Sequence, residues 1–474
     1  MRSWVKQIGV WAGGLLGLGG LYAPAQAQFG PMPHGNGVFA ADPQPATPAE
    51  FPNPAHQPPT DKVSPFSLRD DGAPNAFTEL DCPPPTVYYN LTIRAEWLGW
   101  WVSRYTIPVP LVTTTTTPNA ADFTQPLNVG ALGQSGTVVL LGPGPQSYGL
   151  MNGGRATVGI APGCIPPIEV SGFHFNQSMT LFNQGSTDGS VVLARPIQDA
   201  STLNVVGAGA PIVYLSSFPQ QSVNGINVGG SGTINVGSQL NIWGVEANMF
   251  FCLTDNGTIQ IDGILGVRYT ELDETFRIDS TFSPAANTPG IPFNGQVVPP
   301  GFSTEVMDQF ITRNQFLGGT LGLRTRACFG YGLTLIVDAK ASLGGITETL
   351  NVGGQSTLTA GGPGSGGVTV PGGILAVASN SGRATSNRFE FVPEVNAVLS
   401  WQIFSCVRVF GGYNLMYWSN VVRPVDQLSI SIDRRQVPTD QAFIPNFAGS
   451  SPTPSFRTTN FLANGFTVGV EIGF

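Results

Sequence analysis

Residues 466–474 read Phe-Thr-Val-Gly-Val-Glu-Ile-Gly-Phe, so that Phe466, Val468, Val470, Ile472 and Phe474 alternate with Thr467, Gly469, Glu471 and Gly473. Strict alternation is the pattern of a strand whose two faces meet different surroundings. A half-buried strand of a soluble sheet shows it too. A lipid-facing strand ending in an aromatic residue has the further property of matching the signal that bacterial outer-membrane assembly machinery reads on its β-barrel clients. The start of the chain separates these readings.

Arg2 and Lys6 precede an apolar, glycine-rich run from Ile8 to Tyr22, followed by Ala25-Gln26-Ala27. This is the layout of a cleavable secretory signal over residues 1–27, with the cut expected before Gln28. No cysteine follows that site directly, which argues against a lipid anchor. No later segment offers about eighteen uninterrupted apolar residues, so a helical span is not expected after cleavage. An exported chain of this kind is integral to a membrane only as a closed barrel, because only helices and barrels satisfy every backbone group in lipid.

Composition agrees. Charged residues make up 11% of the chain and glycine 61 of 474 positions, against about 25% and 7% in typical soluble proteins. The formal charge of -8 becomes -10 once Arg2 and Lys6 leave, so a nucleic-acid partner is not expected. Residues 28–85 are dense in proline, including Pro31, Pro33, Pro58, Pro59 and Pro83 to Pro85, and lack apolar periodicity. They read as an extended periplasmic linker, with contact to the envelope or cell wall as its alternative role.

From residue 86 to the end, alternation and turn residues predict ten strands, twelve if two more lie in the loops: 88–104, 154–162, 166–180, 238–252, 257–277, 308–328, 331–350, 385–403, 405–421 and 459–474. Four connections are short, at residues 163–165, 254–256, 329–330 and Phe404; the others are long and rich in Gly, Ser, Thr and Asn. The expectation is an all-β, up-and-down antiparallel transmembrane barrel in outer-membrane lipid, with short periplasmic turns and long extracellular loops. Ile259, Ile261, Leu265, Val267 and Tyr269 oppose Gln260, Asp262, Arg268 and Thr270; Phe389, Phe391, Val395, Leu399 and Trp401 oppose Arg388, Glu390, Glu394 and Asn396. Trp97, Trp101, Trp243, Phe251, Tyr269, Trp401 and Tyr417 fit aromatic girdles at the lipid interfaces.

Several stretches carry a resemblance as a set: Arg94-Ala95-Glu96-Trp97-Leu98, Leu193-Ala194-Arg195-Pro196, Trp243 to Asn248, Gly266-Val267-Arg268-Tyr269 with Leu272-Asp273-Glu274, Thr312 to Gly319, Phe391-Val392-Pro393-Glu394, and Gly412-Tyr413-Asn414 leading into Tyr417 to Pro424. Together they resemble the seventh catalogued family of β-barrel porins, from about residue 88 onward. The resemblance implies an outer-membrane barrel with porin-like transport.

Cys82, Cys164, Cys252, Cys328 and Cys406 are all expected at the periplasmic end, where disulfides between neighbouring turns are favoured over a metal site and an odd count leaves at least one thiol free or paired with another chain. Catalysis finds little footing. His34 and His56 sit in the linker and His174 stands alone in a strand, while Gly362 to Gly367 lacks the lysine and helix of a phosphate loop. No cofactor is expected. The carboxylates Asp338, Glu390 and Glu394 are read with the arginines as a lumen charge network.

Two functions compete. A transport protein would pass small polar solutes or ions along a lumen lined by Arg94, Glu96, Glu246, Asp262, Arg268, Asp338, Lys340, Arg388, Glu390, Glu394 and Arg408. A closed barrel would instead hold long external loops, including Thr113 to Thr117, as a structural or adhesive scaffold. Extra strands within 124–142 or 190–237 would favour the first; ten strands with paired lumen charges would favour the second.

Overall fold

The structure, a computed structural model, describes residues 91–116, 129–162, 165–201, 211–223, 226–361 and 367–474. Residues 1–27 and 28–85, read above as signal and linker, lie outside the described residues, as do Cys82, Cys164 and Gly362 to Gly366.

Ten long strands form the wall: β1 (Leu91–Val102), β2 (Met151–Ile160), β3 (Ile168–Ser186), β4 (Ile226–Asp255), β5 (Ile259–Pro284), β6 (Phe302–Gly330), β7 (Leu333–Ala360), β8 (Gly382–Phe404), β9 (Val407–Val422) and β10 (Thr458–Gly473). Each pairs antiparallel with its chain neighbour, and β10 returns to β1 with Arg94 opposite Glu471 and Trp97 opposite Val468. The wall is therefore a closed meander of ten strands at the expected places, with no free edge around its base.

Short turns have local causes. Between β6 and β7, Gly330, Tyr331 and Gly332 take φ of 82°, 51° and 74° in succession, a left-handed run that two glycines make accessible. Between β4 and β5, the Asp255 carboxylate accepts from Gly257 N, the Asn256 side-chain oxygen accepts from Thr258 and Ile259 N, and Gly257 has φ 84°.

The strands are longer than alternation predicted. β6 has 29 residues and β4 has 30, so β6 stands roughly 70 Å tall at the usual rise and a ~40° tilt. An apolar belt accounts for less than half of that. On β6 the exposed outward residues run from Leu317 through Leu321 and Leu323 to Phe329, roughly 30 Å of height. Directly above, the same face carries Gln315 and Arg313.

At this level the alternation changes phase. Below it the apolar residues point outward: Leu265 and Val267 on β5, Leu317 and Leu321 on β6, Leu343 on β7, Val245 and Phe251 on β4. Above it they point inward and are buried: Leu272, Phe276 and Ile278; Phe316, Phe310 and Val306; Ile346, Leu350 and Val352; Ile242, Leu240, Val236 and Ile234. The upper half of the wall thus encloses a hydrophobic core, completed by loop residues such as Leu193, Ile197, Ile374, Leu375, Val377, Val425, Leu428 and Ile432.

The strands within the loops do not widen the ring. Leu193–Asp199 and Pro211–Val223 pair with each other, and with Val112–Thr115, Thr137–Leu141 and Ser431–Ile432 they build a small sheet attached to the upper part of β4. The expected run Thr113 to Thr117 enters this sheet through Thr113, Thr114 and Thr115.

Candidate functional site: the barrel lumen

Inward positions of the lower half carry charge because the alternation that turns Leu and Val toward lipid turns their neighbours inward. Nearest the short turns, Arg94 Nη2 lies 2.6 Å from Glu471 Oε2 and Arg408 Nη1 3.0 Å from Glu471 Oε1. Arg324 grips Asp338 through Nε and Nη2 at 2.7 and 2.9 Å, and Glu169 through Nη1 and Nη2 at 2.7 and 3.1 Å. Arg326 donates to Asp262 at 2.7 Å. The Arg324 guanidinium also lies over the Phe250 ring at 4.1 Å.

A second layer follows. Arg268 donates to Glu246 through Nε and Nη2 at 3.1 and 2.6 Å and also to Glu394; Lys340 Nζ reaches Glu246 at 2.7 Å and Glu394 at 3.3 Å. Arg155 lies 3.6 Å from Glu96, which also accepts from the Thr467 hydroxyl at 2.8 Å.

These pairs cross the lumen as well as follow the wall. Arg324 of β6 reaches Glu169 of β3, Arg268 of β5 reaches Glu394 of β8, and Lys340 of β7 reaches Glu246 of β4, each three strands away around the ring. Seven cations (Arg94, Arg155, Arg268, Arg324, Arg326, Lys340, Arg408) meet seven anions (Glu96, Glu169, Glu246, Asp262, Asp338, Glu394, Glu471), so the two layers carry no net formal charge. Within the upper layer a cavity of about 10 Å³ is lined by Trp100, Arg155, Glu246, Arg268 and Glu394, room for about one water.

Above the charges comes an aromatic layer. Trp100 stacks on Phe175 with ring centres 4.5 Å apart, and Phe316 lies 6.2 Å from Trp418; Phe175, Phe316 and Trp418 have no exposed surface. Three polar clasps then fix loop segments to the wall. Arg423 grips Glu274 bidentately at 2.8 and 2.5 Å, both side chains 1% exposed. The Asn314 amide accepts from Val422 N at 2.8 Å and donates to Val422 O at 3.0 Å. Asp308 Oδ1 accepts from the backbone N–H of Ile374, Leu375 and Ala376 at 3.0, 2.9 and 2.7 Å, while Arg195 donates to Oδ2 at 2.5 Å. Charge-assisted bonds of this kind are about twice as strong as neutral ones.

Nine of the eleven residues expected to line the lumen fall in the two charge layers: Arg94, Glu96, Glu246, Asp262, Arg268, Asp338, Lys340, Glu394 and Arg408. Arg388 and Glu390 do not. The β8–β9 ladder stops at Glu394 opposite Met416, one residue after Pro393, which has no N–H to donate. Beyond that seam Glu390 turns to β9, accepting from Ser419 N at 2.8 Å, from the Ser419 hydroxyl and from Asn420. Arg388 is 38% exposed beside Glu348. Arg155, Glu169 and Arg326 were not among the expected lumen residues, and Glu471 was placed only in the terminal alternation. Register was the signal for two of them, since Arg155 lies directly opposite Glu96 and Glu471 opposite Arg94, whereas Glu169 meets Arg324 only across the lumen and had no such signal.

Of the described cysteines, Cys328 is disulfide-bonded, while Cys252 and Cys406 are free and exposed. Among the described residues no His, Cys, Asp and Glu cluster fits a metal ion. The His174 ring meets Asn241 at 2.8 Å.

Solved structures similar to this chain include the outer membrane protease OmpT from Escherichia coli, at 7% identity and TM-score 0.33 over 85% of this chain and 99% of that one. The P. putida toluene transporter TodX follows at 8% identity and TM-score 0.18, over 82% and 91%. A Pseudomonas aeruginosa FadL homologue gives 6% identity and TM-score 0.17, over 81% and 90%. No curated protein sequence matches. The model of one family, putative beta barrel porin-7, matches residues 93–474. With the closed ten-strand wall described above, that match over most of its length means the chain belongs to the putative beta barrel porin-7 family, an outer-membrane barrel family.

Proposed function

We propose that this outer-membrane barrel is closed and works as a structural or adhesive scaffold, using its lower half as an anchor and its upper half as a rigid surface body. The observation that carries the reading is the stack inside the wall: two charge layers with every charged side chain paired, an aromatic layer, then a hydrophobic core. A solute would have to break buried ion pairs whose separation leaves charges unpaired, at about 3–5 kcal/mol each. A lumen without net charge also offers no selectivity field for ions. In this reading residues 1–27 direct export, residues 28–85 extend into the periplasm, and no reaction is catalysed.

Single-channel recording of the mature chain in a planar bilayer tests it. An inserted barrel that stays electrically silent is expected; discrete openings whose selectivity changes on neutralising Glu394 would overturn it. N-terminal sequencing of the exported protein should begin at Gln28.

A second reading, passage of small polar solutes, is favoured by the family's designation and by the β8–β9 seam, where Glu390 side-chain bonds replace the strand ladder. Under it, Glu390→Ala would raise conductance from a low baseline.

A further inference from the structure

The upper half contains a second cavity, of about 260 Å³, between the 211–218 strand, the loop ends of β5 and β6, and the 434–441 turn. One wall is aromatic: Phe218 and Phe282 stack in parallel, ring centres 5.8 Å apart and planes 3° from parallel. Val306, Ile291 and Ile374 extend that apolar lining. The other end is polar. The Tyr214 hydroxyl donates to Asp440 Oδ2 at 2.8 Å, Arg434 binds the same carboxylate through Nε and Nη2 at 2.9–3.1 Å, and Ala442 N donates to it at 2.7 Å.

These bonds decide what the polar end can still offer. Asp440 is saturated, so it has little left for a cationic ligand. Arg434 keeps Nη1, which has no partner among the described contacts, and the Tyr214 oxygen keeps its acceptor capacity. Burial, then the Asp440 carboxylate, holds the Tyr214 phenol well above its ordinary range, so it stays a neutral hydroxyl. Arg434 and Asp440 already cancel each other, and a charged head group would bring an uncompensated charge against apolar walls. A hydroxyl can accept from Arg434 and donate to Tyr214 at once. For size, 260 Å³ lies just below the ~300 Å³ at which pockets for small organic ligands usually begin.

We propose that this cavity binds a small neutral alcohol whose ring-bearing, apolar body lies against Phe218 and Phe282 and whose hydroxyl meets Arg434 and Tyr214. The site is independent of whether the lumen conducts.

The test uses 2-phenylethanol on the full mature chain in lipid nanodiscs, read by calorimetry and ligand-observed NMR, with phenethylamine and phenylacetate as charged analogues. Saturable binding of the alcohol is expected, with both analogues about tenfold weaker or worse, and Tyr214→Phe about tenfold weaker through loss of one hydrogen bond. Thr304→Trp, which fills the cavity from an inward position on β6, should abolish binding while heat-modifiable gel migration stays unchanged. Non-saturable uptake equal to that of empty nanodiscs would overturn the proposal. So would saturable binding that prefers a charged analogue, or that is indifferent to both Tyr214→Phe and a folded Thr304→Trp.

Discussion

The lower and upper halves of the wall are made from the same strands but solve opposite solvation problems. On β6, Leu317, Leu321 and Leu323 face outward below while Thr320 and Arg324 face inward; above, Phe310 and Phe316 face inward while Arg313 faces outward. The ladder with β5 and β7 runs through this level without a bulge. Backbone geometry is therefore indifferent to the change; side-chain phase alone decides which half meets lipid and which half meets water. The lower half is hydrophobic outside with a paired ionic interior, and the upper half is a water-facing barrel with an oily interior. The same contrast accounts for how the lumen is filled: a ten-strand wall leaves little internal width, and each half lines it with the chemistry its own alternation turns inward.

The largest effect that would break the comparison lies in the ionic interior. Arg268→Met removes one of the two cations shared by Glu246 and Glu394 and should cost about 3–5 kcal/mol, because Lys340 alone is then left to balance two buried carboxylates. Urea unfolding in detergent reads this, and the double variant Arg268→Met with Glu394→Met should recover part of the loss. In the upper half, Phe310→Ala opens a cavity at a fully buried site and should also cost about 3–5 kcal/mol. Hydrogen exchange then shows whether the halves are one cooperative unit: protection lost only above Phe316 means two, protection lost throughout means one.

A smaller effect sharpens the boundary itself. Leu321→Arg and Ile311→Arg change the same outward face of the same strand, ten residues apart. The first should cost roughly 2–4 kcal/mol for a cation in the apolar belt, the second within about 0.5 kcal/mol. Equal costs would place the boundary elsewhere. The smallest effect concerns Asp426, whose Oδ2 is buried without a hydrogen-bond partner and whose pKa burial raises. A raised carboxyl pKa means its contribution to stability is full below the unfolded value and is lost as pH rises through the folded one. Asp426→Asn should therefore stabilise the protein at neutral pH and flatten the fall of melting temperature as pH rises above the ordinary carboxylate range.

Much of the lower half was legible because lipid enforces alternation strictly: all ten strands and their order could be read from runs such as Phe466 to Phe474. The upper half was less so, although its signal was present. In β5 the apolar set moves from Ile259, Ile261, Leu265 and Val267 to Leu272, Phe276 and Ile278, odd positions giving way to even. A change of phase reads as noise unless two environments are expected along one strand. The loop contribution had no local signal. Arg195 with Asp308, Asn314 with Val422, and Glu274 with Arg423 are joined over separations of 108 to 149 residues, and only the closed wall brings them together. Each of those clasps draws on a stretch that carried the family resemblance.

The pairing of β1 with β10 has a kinetic meaning. Arg94 and Glu471 are 377 residues apart in sequence, and the ring closes only when they meet. Loop-closure entropy of that length must be met before the contact returns anything, which puts this topology among the slow folders. Until the first and last strands zip together, both of their edges stay unpaired, so this seam is where folding and aggregation compete.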